Sequence, residues 1–395
     1  MDSTLTKKQF KQELRDNILP FWMINTPDRA NGGFYGGMTI DHVILNDIPR
    51  TAVSCTRLLW TFSRAYRFYK KEEYINIAHI AFEYLTSKFW DNDFGGLFWS
   101  VDRYGSPVNT RKHHYAQAFG IYGLSEYFQA TEEGLSLNLA VQLFELLEKY
   151  AYEPKFGGYI EGSNREWTLL EDKRLGESDM NCQKSMNTML HIMEAYTNLA
   201  IVWDSTKVRN QLRDTLDIFT DHIINNAGHF NLFFDNQWES LSDHISYGHD
   251  IEGSWLFYEA AEILGNSDAL ALAREQSLKL ANGVILSGIN SDGSIIQEAT
   301  AAEIINPKKE WWSQAEAVIG FYNAYQLSGS LKYLEAAQTS WEYIQDKLID
   351  KQRGGWFKRL LPDGSVDPSS LKFGPWEGPY HESRLCFEML KRLPE

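Results

Sequence analysis

Cysteine is scarce in this chain and badly placed for any framework. The three residues, Cys55, Cys182 and Cys386, are odd in number, far apart and outside any CxxC pair. Neither a disulfide scaffold nor a zinc site is expected from them. Cationic charge is in deficit as well: 38 Lys and Arg stand against 53 Asp and Glu, a formal net charge of −15. Nucleic acid and anionic membrane both select basic patches, so neither is expected as a partner, and a solvated acidic surface accounts for the balance. No apolar run approaches the roughly 18 residues of a membrane span. The stretch from Met1 to Leu19 is polar and charged, without the apolar centre of a signal peptide. A cytoplasmic protein is expected. Linkers are missing too. No Pro/Ser-rich segment or charge block divides the 395 residues, so one domain over 1–395 is expected although length alone suggests more.

What the chain does have is aromatics, 14% of residues, and a turn that recurs. The clear copies are Gly32-Gly33-Phe34-Tyr35, Gly95-Gly96-Leu97-Phe98-Trp99, Gly157-Gly158-Tyr159 and Gly354-Gly355-Trp356-Phe357. Weaker copies fall at Ala227-Gly228-His229-Phe230 and Asp292-Gly293-Ser294-Ile295. Counted between first residues the steps are 63, 62, 70, 65 and 62, so six units fill the chain. The copies extend beyond the turn: Tyr74, Ala78, Tyr84, Lys88, Asp91, Gly95, Gly96, Phe98 and Gly105 reappear 259 residues later, from Tyr333 to Gly364, without a gap. A period this long marks one supersecondary unit used repeatedly.

Each unit holds two helical segments of different pattern. Glu72–Phe89 and Leu331–Leu348 carry an apolar stripe and a charged face, as surface helices do. Arg57–Tyr69, Tyr115–Phe128, Ser185–Trp203, Ile251–Leu264, Trp311–Leu327 and Arg384–Leu393 are apolar nearly all round, which places them inside. Six buried and six surface helices in alternation imply an all-α fold, an (α/α)6 barrel of two concentric rings. The Gly-Gly-aromatic segments read as short β-hairpins with glycine supplying positive φ. Every inner helix then starts at the same end, and polar residues at those starts converge on one aromatic-lined funnel.

Those starts carry the candidate chemistry. Arg57 heads an apolar helix and needs either a loop carboxylate or a functional partner, because a buried unpaired charge costs several kcal/mol. His113, His114 and Tyr115 follow in the second unit, where at most two can face the funnel. In the third, Asn187, His191, Glu194 and Asn198 share one stripe; the first two are expected at a cavity, the last two deeper and structural. His249 and Glu252 are i and i+3, the spacing by which a carboxylate orients an imidazole and raises its basicity. A metal reading of that pair requires a second Glu-x-x-His, which the chain does not offer, and no metal is expected. Trp312 and Glu316 stand at i, i+4, a ring for stacking on a sugar with a carboxylate to accept its hydroxyls. Trp376 and His381 end a loop fixed by two prolines and two glycines.

These segments resemble the N-acylglucosamine 2-epimerase superfamily, and within it the cellobiose 2-epimerase branch. The matching stretches are Ser54-x-x-Arg57-Leu-Leu-Trp60, Lys112-His-x-Tyr115, Met186-Asn187-x-x-x-His191, Ser246-Tyr-Gly-His249-Asp-Ile-Glu252, Trp311-Trp312-x-Gln-Ala-Glu316 and Gly374-Pro-Trp376-x-x-Pro-Tyr-His381. The chain departs from the pattern at Gly378 and Glu382-Ser383, where relatives carry Cys and Asn-Gly. The resemblance implies cofactor-independent 2-epimerisation of the reducing-end glucose of a β-1,4-linked disaccharide, cellobiose to glucosyl-mannose or lactose to epilactose. No metal or nicotinamide is implied, and the chain has no GxGxxG or HExxH motif. A small-molecule partner and a monomer, or at most a weak homo-oligomer, are expected.

Such a reaction opens the ring, removes the proton α to the aldehyde and returns it on the other face. His249 and His381 suit the two acid/base positions, one neutral and one protonated at the start. Arg57, His191 and Tyr115 suit the enediolate oxygen. Asn187, Glu252 and Glu316 would hold hydroxyls or orient the histidines, and Trp312 and Trp376 would stack on sugar rings. Three other readings remain open at this point. A glycoside hydrolase of the same fold would use a carboxylate pair drawn from Asp250, Glu252 and Glu316. A non-catalytic sugar-binding protein would need the aromatics alone. Aldose–ketose isomerisation shares the enediol intermediate.

Overall fold

A computed structural model describes residues 4–177 and 179–394; residues 1–3 of the polar N-terminal stretch lie outside them. Among the described residues, six inner helices form a closed ring: Ala52–Tyr69, His114–Thr131, Met186–Val202, Tyr247–Leu264, Trp311–Ser328 and Tyr380–Arg392. Each packs on the next, and the sixth returns to the first. Their patterning explains the position. In His114–Thr131 every residue from His114 to Tyr127 is buried, so no face is left for solvent. The outer ring comprises Glu72–Tyr84, Gly134–Tyr150, Thr206–Ile218, Ser267–Ser287 and Leu331–Tyr343. The N-terminal segment Lys7–Gln12, continued by Glu13–Ile18 and Leu19–Asn25, closes that ring against the last inner helix. The all-α (α/α)6 expectation holds, and one apolar cluster runs from Leu5 to Leu393. No helix among the described residues is long and apolar enough to cross a membrane.

Helix ends are set locally. Thr51 and Ser185 cap two inner helices by accepting from the Ser54 and Thr188 amides, both at 3.1 Å. At the far ends Gly265 and Gly329 take the left-handed conformation that closes a helix. Two inner helices begin several residues earlier than their apolar runs suggest, at Tyr247 and Tyr380. This puts Arg384 a full turn inside the last one.

The recurring turns lie where outer helices hand over to strands. Asp91 donates its amide to Gly96 O and accepts from Gly95 N, and Asp350 repeats this with Gly355 and Gly354. Both glycines of each pair have positive φ, 72° and 74° at Gly95 and Gly96. The structure adds a link that the repeat pattern hid. The strand leading into each inner helix pairs with a strand of the following unit: Arg50–Thr51 with Ser100–Val101, Lys112–His113 with Gly162–Ser163, Lys309–Glu310 with Arg359–Leu360. Leu371–Phe373 closes the circle on Met38–Thr39. Buried bases on these strands reach back to the turn carboxylates, Arg50 to Asp28, Lys112 to Asp91 and Lys372 to Asp350. The inner-helix starts are thereby fixed relative to one another around the ring.

These turns give a stability test. An added Cβ at Gly96 would stand 2.6 Å from the Trp167 ring, on a backbone with φ 74°. At Gly157 the φ is similar but the nearest atom is 3.4 Å away. Gly157→Ala should cost about 1–2 kcal/mol for the backbone alone. Gly96→Ala should cost more, since overpacking adds about 1–3 kcal/mol. Denaturant unfolding of both variants checks the order.

Candidate active site

The inner-helix starts surround a cavity of about 300 Å³ to which all six inner helices contribute. Arg57, Tyr115, Asn187, His191, His249, Glu252, Trp312 and His381 line it from the helices, and Trp376 from the loop before the last one. Two adjoining spaces of about 350 and 550 Å³ share walls with it at Leu175. Of the expected site residues only Glu316 does not line the cavity.

Arg57 is 4% exposed. It donates from Nη1 to the Trp376 carbonyl at 2.5 Å and from Nη2 to the Tyr115 hydroxyl at 3.0 Å, while its Nε has no partner. Its guanidinium lies over the Phe119 and Tyr380 rings, 4.7 and 5.4 Å from their centroids. No carboxylate of a described residue pairs with it, so the salt-bridge alternative for Arg57 is not what the structure holds. A buried cation with only dipoles and π faces around it favours an anion placed in the cavity.

The two histidines assigned to proton transfer flank one indole. Trp312 has its centroid 4.6 Å from His249 and 5.8 Å from His381. Their supports differ. His381 Nδ1 is 2.7 Å from Glu316 Oε1. His249 Nδ1 is 2.7 Å from Ser246 Oγ, and Glu252 is not its partner. The i, i+3 expectation for His249 and Glu252 is therefore corrected: Glu252 turns away to the Arg384 guanidinium. The carboxylate–imidazole pair at that spacing is His191 with Glu194, at 2.9 Å.

Burial pushes the His249 imidazole down to about 3, with His191 adding to the effect. Burial also pushes His381 well down, reinforced by Arg57 and Arg384. Both histidines are thus shifted toward the neutral form. Below its ordinary 6.5, a depressed imidazole stays neutral until the pH falls to its own lower value. In the sugar-free protein the His249 ring should still be neutral at pH 5, as read by histidine NMR; a midpoint near 6.5 would contradict this placement.

Of the two roles expected for Glu316, the structure places it for the second, orienting a histidine; as a residue that would hold sugar hydroxyls it is corrected, since it does not line the cavity. It is fully buried, and its carboxylate accepts from Trp255 Nε1 at 3.0 Å and from Arg384 Nη2 at 2.6 Å, besides meeting His381. Burial raises Glu316 and carries Glu252 up to about 7, the latter with help from Glu316. Glu252, Glu316 and His381 are close enough to share a cation, and the Arg384 Nη2 already reaches both carboxylates. Glu194, expected to be structural, belongs to the same cluster through Arg384 and Tyr380. Asn198 is structural, bonded to the Tyr122 carbonyl and Gln129.

The remaining candidates sort by their contacts. Of His113, His114 and Tyr115 only the tyrosine reaches the cavity. His113 meets the Lys173 carbonyl, and His114 meets the Ile160 carbonyl and stacks on Trp167. Asp250 is bound by His229 and the Phe230 amide, both at 2.7 Å, behind the cavity wall. The departures from the family pattern divide as well. Glu382 holds Trp22 and Lys358, and Ser383 meets Thr61, all away from the site. Gly378 lies against Arg57, where an added Cβ would come within 3.3 Å of that side chain. Trp311 joins Trp312 at the rim, and residues that the sequence did not single out complete it: Gln297, Glu377, the Glu310–Arg359 ion pair at 2.5 Å, and Leu175 with Asp179 from a loop. Loop residues carry no periodicity from which to find them. Arg384 did carry a signal, an arginine three residues after His381 in an apolar helix.

The model of the N-acylglucosamine 2-epimerase (GlcNAc 2-epimerase) family matches residues 33–381. The chain belongs to that family. Among its relatives is a cellobiose 2-epimerase of Bacteroides fragilis, 41% identical over 99% of this chain and all of the relative. Another, from Dictyoglomus turgidum, is 37% identical over the full length of both. The solved cellobiose 2-epimerase of Bacillus thermoamylovorans superposes with a TM-score of 0.94 at 36% identity, covering 98% of this chain and 99% of that one. The matched stretch contains the cavity residues Arg57, Tyr115, Asn187, His191, His249, Glu252, Trp312 and His381.

Proposed function

We propose that this member of the N-acylglucosamine 2-epimerase family epimerises C2 of the reducing-end glucose in β-1,4-linked disaccharides. Cellobiose would yield glucosyl-mannose and lactose would yield epilactose. The observation that carries this reading is the pairing of two buried imidazoles on either side of Trp312, His249 and His381, with a guanidinium that no described carboxylate neutralises, Arg57, around one cavity. The likeness to cellobiose 2-epimerases over the full chain supports the disaccharide. So do the adjoining spaces, which leave room for a second ring. The protein would act in the cytoplasm on this small substrate, as a monomer or weak homo-oligomer.

The geometry supports the following sequence. On ring opening the O1–H proton passes to one imidazole, the C1–O5 bond breaks with protonation of O5 by water, and C1 becomes an aldehyde. The other imidazole takes the C2 proton. The C–H electron pair moves into C1–C2, and the carbonyl pair moves onto O1. Arg57, with Tyr115 and His191 beside it, meets that negative charge with groups already in place. The first imidazole then delivers its proton to the opposite face of C2; as the ring recloses, the O5–H proton returns to the hydroxide left by that water and the second imidazolium gives its proton to O1. Trp312 and Trp376 offer faces for stacking, and Asn187 and Glu252 offer polar groups to hydroxyls. One proton changes sides and no electrons leave the sugar, so the chemistry needs no redox cofactor.

Hydrolysis is less well supported. Asp250 and Glu316 do not line the cavity, and Glu252 and Glu316 share one guanidinium instead of flanking a bond. Chromatography of cellobiose after incubation tests the reading. A disaccharide with reducing-end mannose is expected; free glucose would show a hydrolase, and a 2-ketose product alone would show an isomerase.

A further inference from the structure

The cavity histidines are not held alike, and the difference traces to one residue outside the cavity. Arg384 is 1% exposed and sits beneath the site on the last inner helix. Its Nη1 donates to Glu194 Oε1 and to the Tyr380 hydroxyl. Its Nη2 donates to Glu252 Oε1 and, at 2.6 Å, to Glu316 Oε1. Glu194 in turn meets His191 Nδ1 at 2.9 Å through its other oxygen, and Glu316 meets His381 Nδ1 at 2.7 Å. Two histidines on different helices are thus tied to one guanidinium, each through one carboxylate. His249 stands outside this network on Ser246.

We propose that Arg384 is a positioning residue: it holds Glu194 and Glu316 so that His191 and His381 keep their Nδ1 atoms engaged and turn Nε2 to the sugar. The proposal rests on the function proposed above. A carboxylate that accepts from Nδ1–H fixes both the tautomer and the ring orientation, and leaves Nε2 as the proton acceptor. Three carboxylates buried together repel one another unless a cation lies among them. A planar guanidinium reaches all three in fixed directions, which the single ammonium of lysine does not. The Tyr380 and Trp255 rings, 4.2 and 4.9 Å from the guanidinium carbon, hold the fork in place. Burial raises Glu252 and Glu316, whereas Arg384 and the other donors bring Glu194 below its usual range against the same burial. After burial, Arg57 and Arg384 are what hold His381 below its ordinary range.

The test combines kinetics with a readout that needs no sugar. Arg384→Lys, kept folded as judged by circular dichroism, should lower kcat for C2 epimerisation about 100-fold or more while KM moves less than about threefold. In Arg384→Met the loss of the cation beside His381 should move the NMR titration midpoint of that ring upward by about one pH unit or more, measured without substrate. A purely structural residue would change melting temperature and leave that midpoint where it was. Should both Arg384 variants fail to fold, Glu194→Gln and Glu316→Gln take their place, each expected to cut kcat at least about tenfold at near-constant KM. Folded Arg384 variants with kcat within threefold and an unmoved His381 midpoint would overturn the proposal, as would fully active Glu194→Gln and Glu316→Gln. If the native protein leaves cellobiose unchanged, the epimerase reading falls, while the titration still decides what Arg384 does to His381.

Discussion

His381→Ala and His249→Ala should each lower kcat for C2 epimerisation by about 10³ to 10⁴-fold, the upper range for a proton-transfer group. The two are expected to fail equally, because a two-sided proton exchange stops when either side is missing. Their structural costs should differ. His381→Ala strips Glu316 of a donor, though Trp255 and Arg384 still satisfy that carboxylate. His249→Ala frees only the Ser246 hydroxyl. Melting temperatures should therefore fall modestly for the first and hardly at all for the second. His381→Asn offers a control, since its amide can still donate to Glu316 and yet cannot accept a proton at working pH. Chromatographic rates on cellobiose, with melting curves alongside, decide the matter. A variant that keeps a tenth of native kcat removes its histidine from the pair.

The second large effect concerns Arg57. Arg57→Met should cost about 10² to 10³-fold in kcat, the scale of losing a preorganised donor to a developing oxyanion. Stability should move the other way. A buried charge with no carboxylate partner is costly to hold, so replacing it with an apolar chain of similar length should leave the melting temperature unchanged or raise it. The Trp376 carbonyl loses its donor in that variant, so KM should rise as well. Tyr115→Phe isolates the neighbouring hydroxyl and should cost less, about tenfold. An Arg57→Met protein that melts several degrees lower with near-native kcat would make Arg57 a structural residue.

How far the sequence was legible depended on whether a feature repeats. The glycine turns and the all-apolar helices recur six times, so fold class and inner-helix positions could be read from them. Tyr84 shows why the repeat includes an aromatic: its ring packs where a Cβ at Gly33 would sit, and its hydroxyl meets Arg50. Side-chain partners were harder to read. The spacing of His249 and Glu252 puts them on one face, yet Arg384, 132 residues away in sequence, outcompetes the imidazole for the carboxylate. The same guanidinium draws Glu316 off the cavity wall. A charge–charge contact between distant helices wins over a local spacing, and no periodicity reports it. The cavity rim from Leu175, Asp179, Gln297 and Arg359 lies on loops and short strands whose order in space follows from the inter-unit ladders.

In the proposed reaction one proton leaves C2 and another arrives on the opposite face through exchangeable groups. Incubation with cellobiose in D2O, followed by NMR of the reducing-end C2–H, measures this directly. A mannose-type reducing end that carries deuterium at C2 is expected, because the delivering imidazole takes its proton from an exchangeable O–H. Epimer formed with C2–H fully retained, or a substrate C2–H signal unchanged after hours with native enzyme, would contradict it.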